Sequence, residues 1–506
     1  MKFSKPFLFL TLLVSSSFSS CTLYHQFPGG GSGGSGGGGT GGGSGTATLT
    51  LTLRATPLTP PAGTNILSMV ASVTGVSLTP TSGSAQNLTL PSPFMVDFTR
   101  LQSDSELLGT LTDIPVGTYT VTLSVSAPVI YYCAQLNPGT QGCATGSLAK
   151  FSGAVSTPTV SGTVTLTSNQ TTGLAVVFNL QDALTVNAAT QAVTGVSFTT
   201  TGVVTSSTLP AIATTLGSGQ LDFIEDLTGV VTAATASTET VTLSTATGGS
   251  ITAVANSSTV YSPLCTAANP SFSTCVAVGQ IASVDAAVDT NGTLTILEFD
   301  PLTTSTSTDV IEGVITLSPS SSSQFQLVAN NLVFAATSSK ISGSLAALLG
   351  APVNITLSNV SPFVVDTKGL TIPVTNFSGG TDTSVLLPGQ TVAAPITAFT
   401  AASGSTPAAA TADGLILRFT RTSGTVSSAG GLTFSIASLP PFFGLTAPEL
   451  VQLTQGTPPT SAVTNFDGAN PSSSPLVTGQ TVGIRALYFG GSSATPFSAA
   501  KVRVIR

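Results

Sequence analysis

The chain has 506 residues, of which only 7 % are charged and 41 % apolar, so threonine and serine must supply most of its polar surface. That apolar share is enough to build cores, which sets the chain apart from disordered compositions. The net charge of −7 carries no basic run before Lys501–Arg506, which excludes electrostatic nucleic-acid binding, and the lone histidine, His25, excludes Ser-His and Cys-His catalytic pairs.

Lys2 and Lys5 precede an apolar run from Phe7 to Val14. A run this short falls well below the roughly 20 residues of a membrane-spanning helix and reads as a secretory signal peptide over residues 1–20. Ser19 and Ser20 then lead into Cys21. This stretch resembles a bacterial lipobox, with Phe18 where leucine usually stands. The resemblance implies that Cys21 is the lipidated first residue of the mature protein and attaches it to a membrane. Thr22, in place of the Asp that marks inner-membrane retention, implies the outer membrane of the cell envelope. Residues 29–45 hold 13 glycines in 17 positions. As a flexible coil such a tract spans roughly 20–25 Å, so residues 21–45 read as anchor and tether.

Cysteine usage fits an oxidising compartment. Cys133 and Cys143 are ten apart, as are Cys265 and Cys275, and each pair is isolated in its own region. Local disulfides are the simplest connectivity, and they leave Cys21 free for lipid. A metal centre would want histidines or closer cysteine spacing, so no metal and no cofactor is expected.

The chain after the tether reads as all-β. In Thr48–Leu53 threonine and leucine alternate strictly, the mark of a half-buried strand. Candidate strands follow at Ile66–Leu78, Phe94–Phe98, Thr118–Val125, Gly162–Leu166, Leu174–Phe178 and Val193–Phe198. The order Val73-Thr-Gly-Val-Ser-Leu78, Val96-Asp-Phe98, Leu107-Leu-Gly109 and Ile114-Pro-Val-Gly-Thr-Tyr119 is similar to bacterial envelope domains with a prealbumin-like or carbohydrate-binding-like β-sandwich. That resemblance covers about residues 46–200 and implies a sandwich and no particular activity; the sandwich domain is read over residues 46–226.

The second half repeats itself. Val374-Thr-Asn-Phe377 recurs as Val463-Thr-Asn-Phe466, and Leu387-Pro-Gly-Gln-Thr-Val392 recurs as Val477-Thr-Gly-Gln-Thr-Val482. A looser copy contains Val278-Gly-Gln280. Gly229, Gly313 and Gly424 each lead a strand near the start of a copy. The units run over 228–302, 310–421 and 422–506, the middle one with an insertion that includes a helical turn at Ser344–Leu349. The Val-Gly-Gln pattern resembles a second envelope family built of small OB-like β-barrels, which usually carries Asp where this chain has Gln280, Gln390 and Gln480. The expected fold is an N-terminal sandwich followed by tandem small barrels.

Chemistry is sparse. Glu225-Asp226, and Asp104 with Glu106, read as solvated loop charges, while Asp285, Asp289 and Asn291 read as a hairpin turn. Tyr131 and Tyr132, beside Cys133, are the candidate binding platform if the Cys133–Cys143 loop displays them; packing against the disulfide is the other reading of both. Phe442 and Phe443 are either an exposed contact or a core plug. The expectation is a non-enzymatic, lipid-anchored envelope protein acting as a structural or interaction module. Its expected partners are the membrane and an envelope protein or glycan, and not nucleic acid. The alternative is a surface receptor for glycans or peptides that uses the Cys133–Cys143 loop.

Overall fold

A computed structural model describes residues 45–504 apart from 60–64, 91–93, 138–140, 210–218, 262–263, 320, 371, 373, 375, 431, 446–448, 454–464, 468–475, 491–492 and 494–495. Cys21, His25 and most of the glycine tether lie outside the described residues. The fold is all-β, and among the described residues helix is confined to single turns such as Leu345–Leu348.

The N-terminal unit is one continuous sheet. Thr46–Ala55 lies between Glu106–Pro115, antiparallel to it, and Thr171–Phe178, parallel to it. The sheet continues through Val204–Leu209, Thr159–Leu166, Gly117–Val125, Asn65–Pro80, Val129–Cys133 and Leu148–Ser152. It folds over a single core in which Leu49, Leu51 and Leu53 meet Val121, Leu123 and Val125. Phe98, Phe178 and Phe198 form an aromatic triangle there, with ring centroids 4.6, 5.1 and 5.2 Å apart. Tyr119 caps one end: its ring is buried and its hydroxyl donates to the Pro115 carbonyl at 2.6 Å. That bond satisfies the one polar atom the ring carries inward. Val193–Val196, which copies Val73–Val76, does not join this sheet but pairs with Leu184–Val186 as a separate ribbon.

One strand departs from its pattern. Alternation in Thr48–Leu53 predicts threonines facing water, yet Thr50 and Thr52 are fully buried. The next unit covers that face, and Thr52 Oγ1 donates to Asp222 Oδ2 at 2.8 Å. Both sides of the strand are interior, and threonine pays its polar cost with a hydrogen bond.

The remaining chain forms three further sheets, each closing on itself. In the first barrel the successive strands are Gln220–Thr235, Thr240–Thr245, Gly249–Val254, Ile281–Asp289 and Leu294–Thr303. The first pairs with the second and fourth, the second with the third, the fourth with the fifth, all antiparallel, and the third closes on the fifth in parallel. The same order holds for Asp309–Ile315, Gln324–Val333, Pro352–Leu357, Thr391–Thr400 and Ala408–Ala412 in the second barrel. It holds again for Thr420–Gly430, Thr433–Ile436, Glu449–Leu453, Thr481–Tyr488 and Phe497–Val504 in the third. Closure removes the open edges that a short sheet would otherwise expose. The glycines read as strand leaders lie inside the first strands instead. At Gly313 a Cβ would stand 2.3 Å from the Val328 carbonyl oxygen, so a side chain there would force the ladder apart.

The Gly-Gln pairs have a common structural role. Gly279, Gly389 and Gly479 have φ of 92°, 94° and 89°, and the glutamine amide that follows each donates back to residue 277, 387 or 477 at 3.1–3.4 Å. This is a turn with glycine at its third position, feeding the fourth strand of each barrel. Gln390 and Gln480 brace it further, since their Oε1 atoms accept from the Leu387 and Val477 amides at 2.8 and 2.6 Å. A Cβ on Gly389 would also lie 2.6 Å from the Phe443 ring, whereas one on Gly479 meets nothing within 4 Å. Gly389→Ala should therefore cost about 2–3 kcal/mol and Gly479→Ala only about 1 kcal/mol. Urea unfolding of the two variants checks this, and equal losses would contradict it.

Candidate functional site: a buried charge junction and its cavity

Many of the charges among the described residues lie inside the protein. Between residues 220 and 303 the first barrel has eight acidic side chains and no Lys or Arg. The third barrel, by contrast, supplies Arg421, Arg485, Lys501 and Arg503. Where the units meet, Arg54, Lys368, Arg418, Arg485, Lys501 and Arg503 are all buried, together with Asp104, Asp222, Glu225, Asp226, Asp285, Glu298, Asp300, Glu312 and Asp366.

Asp226 is the hub. The ladder to Ile281–Asp289 shifts register between Ile224 and Leu227, and Asp226 adopts φ 51°. Such a bulge re-aims a side chain that would otherwise follow the strand's alternation. Asp226 Oδ1 accepts from Arg418 Nη2 at 2.8 Å and Arg485 Nη2 at 2.7 Å, and Lys368 Nζ stands 3.4 Å away. Asp226 Oδ2 pairs with Arg421. Arg421 also reaches Asp104 in the sandwich at 2.8 Å, and Arg485 reaches Asp285 at 2.9 Å. Arg418 pairs with Asp366 and donates to Glu312 at 3.3 Å. One carboxylate thus binds groups from both later barrels, and its partners extend the network into the sandwich. Lys501–Glu225, Arg54–Asp222 and the bonds from Arg503 to Asp104 O and Ser105 Oγ, at 2.7 and 2.8 Å, extend the same joint.

Burial opposes ionisation of Asp226, but Arg485, Lys368, Arg421 and Arg418 outweigh it and hold the carboxyl well below its usual range. Against the same burial, Arg485 and Lys368 hold Asp285 down to about 2. The opposite holds beside them. Burial, then the neighbouring Asp300, pushes Glu298 well above its usual range and Asp366 up to about 7. Burial also lifts Glu225 to about 7 despite Lys501.

Glu298, Asp300 and Asp366 bring carboxylate oxygens within 4.8 Å of one another, a spacing that suits a metal ion. Lys368 occupies that position chemically. Its Nζ lies 2.9 Å from Asp300, 3.2 Å from Asp285 and 3.4 Å from Glu298. Asp285 and Glu298 face each other directly across the strand pair, an arrangement that repels unless a cation or a proton intervenes. The Lys368 ammonium supplies the first and the raised Glu298 carboxyl the second.

Beside this junction is a cavity of about 390 Å³, a volume typical of small-molecule sites. The sandwich contributes Ile66, Arg100 and Leu184 to its wall, the second barrel Val314 and Asn330, and the third Thr422 and Phe442.

The readings of individual residues change accordingly. Glu225, Asp226 and Asp104 are not solvated loop charges; they are interior ion-pair partners, because a second unit covers each. Glu106 is half-buried and opens the strand Glu106–Pro115 rather than a loop. Asp285 is not part of a turn, whereas Asp289 does close one, its carbonyl accepting from the Gly292 amide at 2.8 Å. The boundary read at 226–228 falls inside Gln220–Thr235. The basic stretch at the C-terminus does lie on a strand, but Lys501 and Arg503 are buried in the junction.

The disulfides Cys133–Cys143 and Cys265–Cys275 are both formed. The Cys133–Cys143 loop does not display its tyrosines. Tyr132 is 5 % exposed within the sandwich core, and Tyr131 is half-buried against the disulfide under Lys150, whose Nζ lies 5.7 Å from the ring centre. The loop is docked instead. Cys143 N donates to Thr316 O and Gly142 N to Phe442 O, both at 2.9 Å, and Gln141 Nε2 to the Tyr488 hydroxyl at 2.7 Å. Phe442 and Phe443 plug this contact. Cys21 lies outside the described residues.

A signal for the junction was present in the spacing. Glu298 and Asp300, and Lys501 and Arg503, each sit two apart on one strand, and Asp366 and Lys368 keep the same spacing at the turn that follows Val364–Val365. In a protein whose surface is threonine and serine, paired charges on one strand face mark an interior ionic contact. No family model matches this chain, and no curated protein is significantly similar to it.

Proposed function

We propose that this is a non-catalytic, lipid-anchored protein of the bacterial cell envelope. It holds one stiff β-body off a membrane, with the outer membrane as its site, as a structural or interaction module. The observation that carries the reading is the buried charge junction. Charged groups that commonly serve catalysis or surface recognition are committed here to joining four β-units. Each unit leaves charges that only its neighbours neutralise, so the sequence favours one body over a flexible string. The signal-like segment, Cys21 and the glycine tether supply the attachment.

Metabolic labelling with an alkyne-bearing fatty acid tests the anchor. The wild-type chain should take up label and fractionate with membranes, while Cys21→Ala should do neither. Label retained by Cys21→Ala would contradict the anchor. The receptor alternative loses its site at the Cys133–Cys143 loop, since that loop is docked against the barrels. A ligand role shifts to the cavity.

A further inference from the structure

Arg100, half-buried, differs from most of the cations of the junction. Arg54, Lys368, Arg418, Arg421, Arg485 and Lys501 each form an ion pair. Arg100 forms none among the described residues. Its side chain makes one hydrogen bond there, from Nη2 to the Asp226 carbonyl at 3.4 Å. Asp97, Asp104 and Glu106 feel its charge without pairing with it. A guanidinium has five donors in a rigid fork, and most of this fork has no partner among the described residues.

Arg100 lines the cavity of about 390 Å³, and no carboxylate among the described residues does. Ile66, Leu67, Leu184, Phe442 and Phe443 give the cavity an apolar wall. Two more lining residues, Asn330 and Thr422, are buried, and their Oδ1 and Oγ1 atoms have no hydrogen-bond partner. Buried polar atoms without partners are rare in native structures and call for an explanation. Gln181 and Thr185, also in the lining, are exposed, which puts the mouth beside the helical turn Leu180–Ala183.

We propose that this cavity binds a small amphipathic anion. Its apolar body lies against Phe442, Leu184 and Ile66, its carboxylate, sulfonate or phosphate group meets Arg100, and a hydroxyl or amide serves the polar atoms of Asn330 and Thr422. An anion fits better than a neutral apolar molecule because, among the described residues, the charges on the wall are guanidinium groups, those of Arg100 and Arg421, and each nitrogen of Arg421 already donates, to Asp104, Asp226 or the Phe419 carbonyl.

The test uses the mature chain with Cys21→Ser, so that no lipid competes. The probes are 1-anilinonaphthalene-8-sulfonate and its neutral parent, 1-anilinonaphthalene, followed by fluorescence titration. The sulfonate should saturate at one per protein and bind about tenfold more tightly than the neutral probe. Arg100→Gln should abolish that tenfold advantage and leave the neutral probe unchanged. Leu184→Trp, which narrows the mouth at a half-buried position, should weaken both probes. Unchanged far-ultraviolet circular dichroism controls for folding. The proposal is overturned by a sulfonate that does not saturate, by equal binding of the two probes, or by sulfonate affinity that survives Arg100→Gln. Binding indifferent to Leu184→Trp would place the probes elsewhere and would overturn it as well.

Discussion

Asp226→Ala should destabilise the protein by about 3–5 kcal/mol, the range for removing one partner from a buried ion pair. The loss is large because four cations, Arg418, Arg421, Arg485 and Lys368, would lose their shared counter-charge inside the protein. Their side chains are 1–5 % exposed, so water compensates little, and the nearby Asp104, Asp285 and Asp366 are already paired with Arg421, Arg485 and Arg418. Asp226→Asn keeps the shape and some hydrogen bonds but not the charge, so it should fall between wild type and alanine. Combining Asp226→Asn with Arg421→Gln should recover part of the loss, since the second change removes one stranded cation. Urea unfolding of the four proteins measures the coupling. A loss below about 1 kcal/mol for Asp226→Ala would show that the junction does not carry stability.

The second large effect is in pH. The melting temperature should peak near about pH 4–5 and fall by several degrees toward pH 8. Glu298 is pushed well above the usual carboxyl range and Asp366 and Glu225 to about 7, chiefly by burial. In the unfolded chain these groups titrate near 4. Between roughly pH 4 and 7 the folded state therefore holds more protons than the unfolded state, and stability declines as pH rises through that window. Asp226 and Asp285 act oppositely. The arginines and Lys368 overcome burial to depress them, Asp285 to about 2, so their contribution is complete above the unfolded value near 4 and disappears only in stronger acid. Glu298→Gln should flatten the alkaline side of the profile by removing one group that must give up its proton. Calorimetry from pH 3 to 9 reads both curves. A melting temperature that climbs from pH 5 to 8 would contradict the assignment.

The architecture was legible because it rests on local rules. Alternation in Thr118–Val125 places Tyr119, Val121, Leu123 and Val125 in the core, where all four are buried. The ten-residue cysteine spacing gives both disulfides. The repeated Gly-Gln dipeptide marks a turn that recurs before the fourth strand of each barrel. What failed was the step from a residue's type to its exposure. Glu225 and Asp226 carry charge, and an isolated strand would place them in water. Only the packing of one unit on another buries them, and that packing is set by side chains nearly 200 residues away, such as Arg418. Thr50 and Thr52 fail in the same way, since the covering unit begins near residue 220. The position of Tyr131 and Tyr132 beside Cys133 suggests display, yet the loop beside them meets partners at Thr316 and Phe442. The cavity was invisible for a related reason: its wall draws on three units.

The central claim is that the sandwich and three barrels form one body held by interior charge. Small-angle X-ray scattering on residues 46–506 at pH 5 tests it most directly. A compact body of this length has a radius of gyration of about 23 Å, which is the result expected. A value well above about 30 Å, with the scattering of separate domains on flexible joints, would contradict the account.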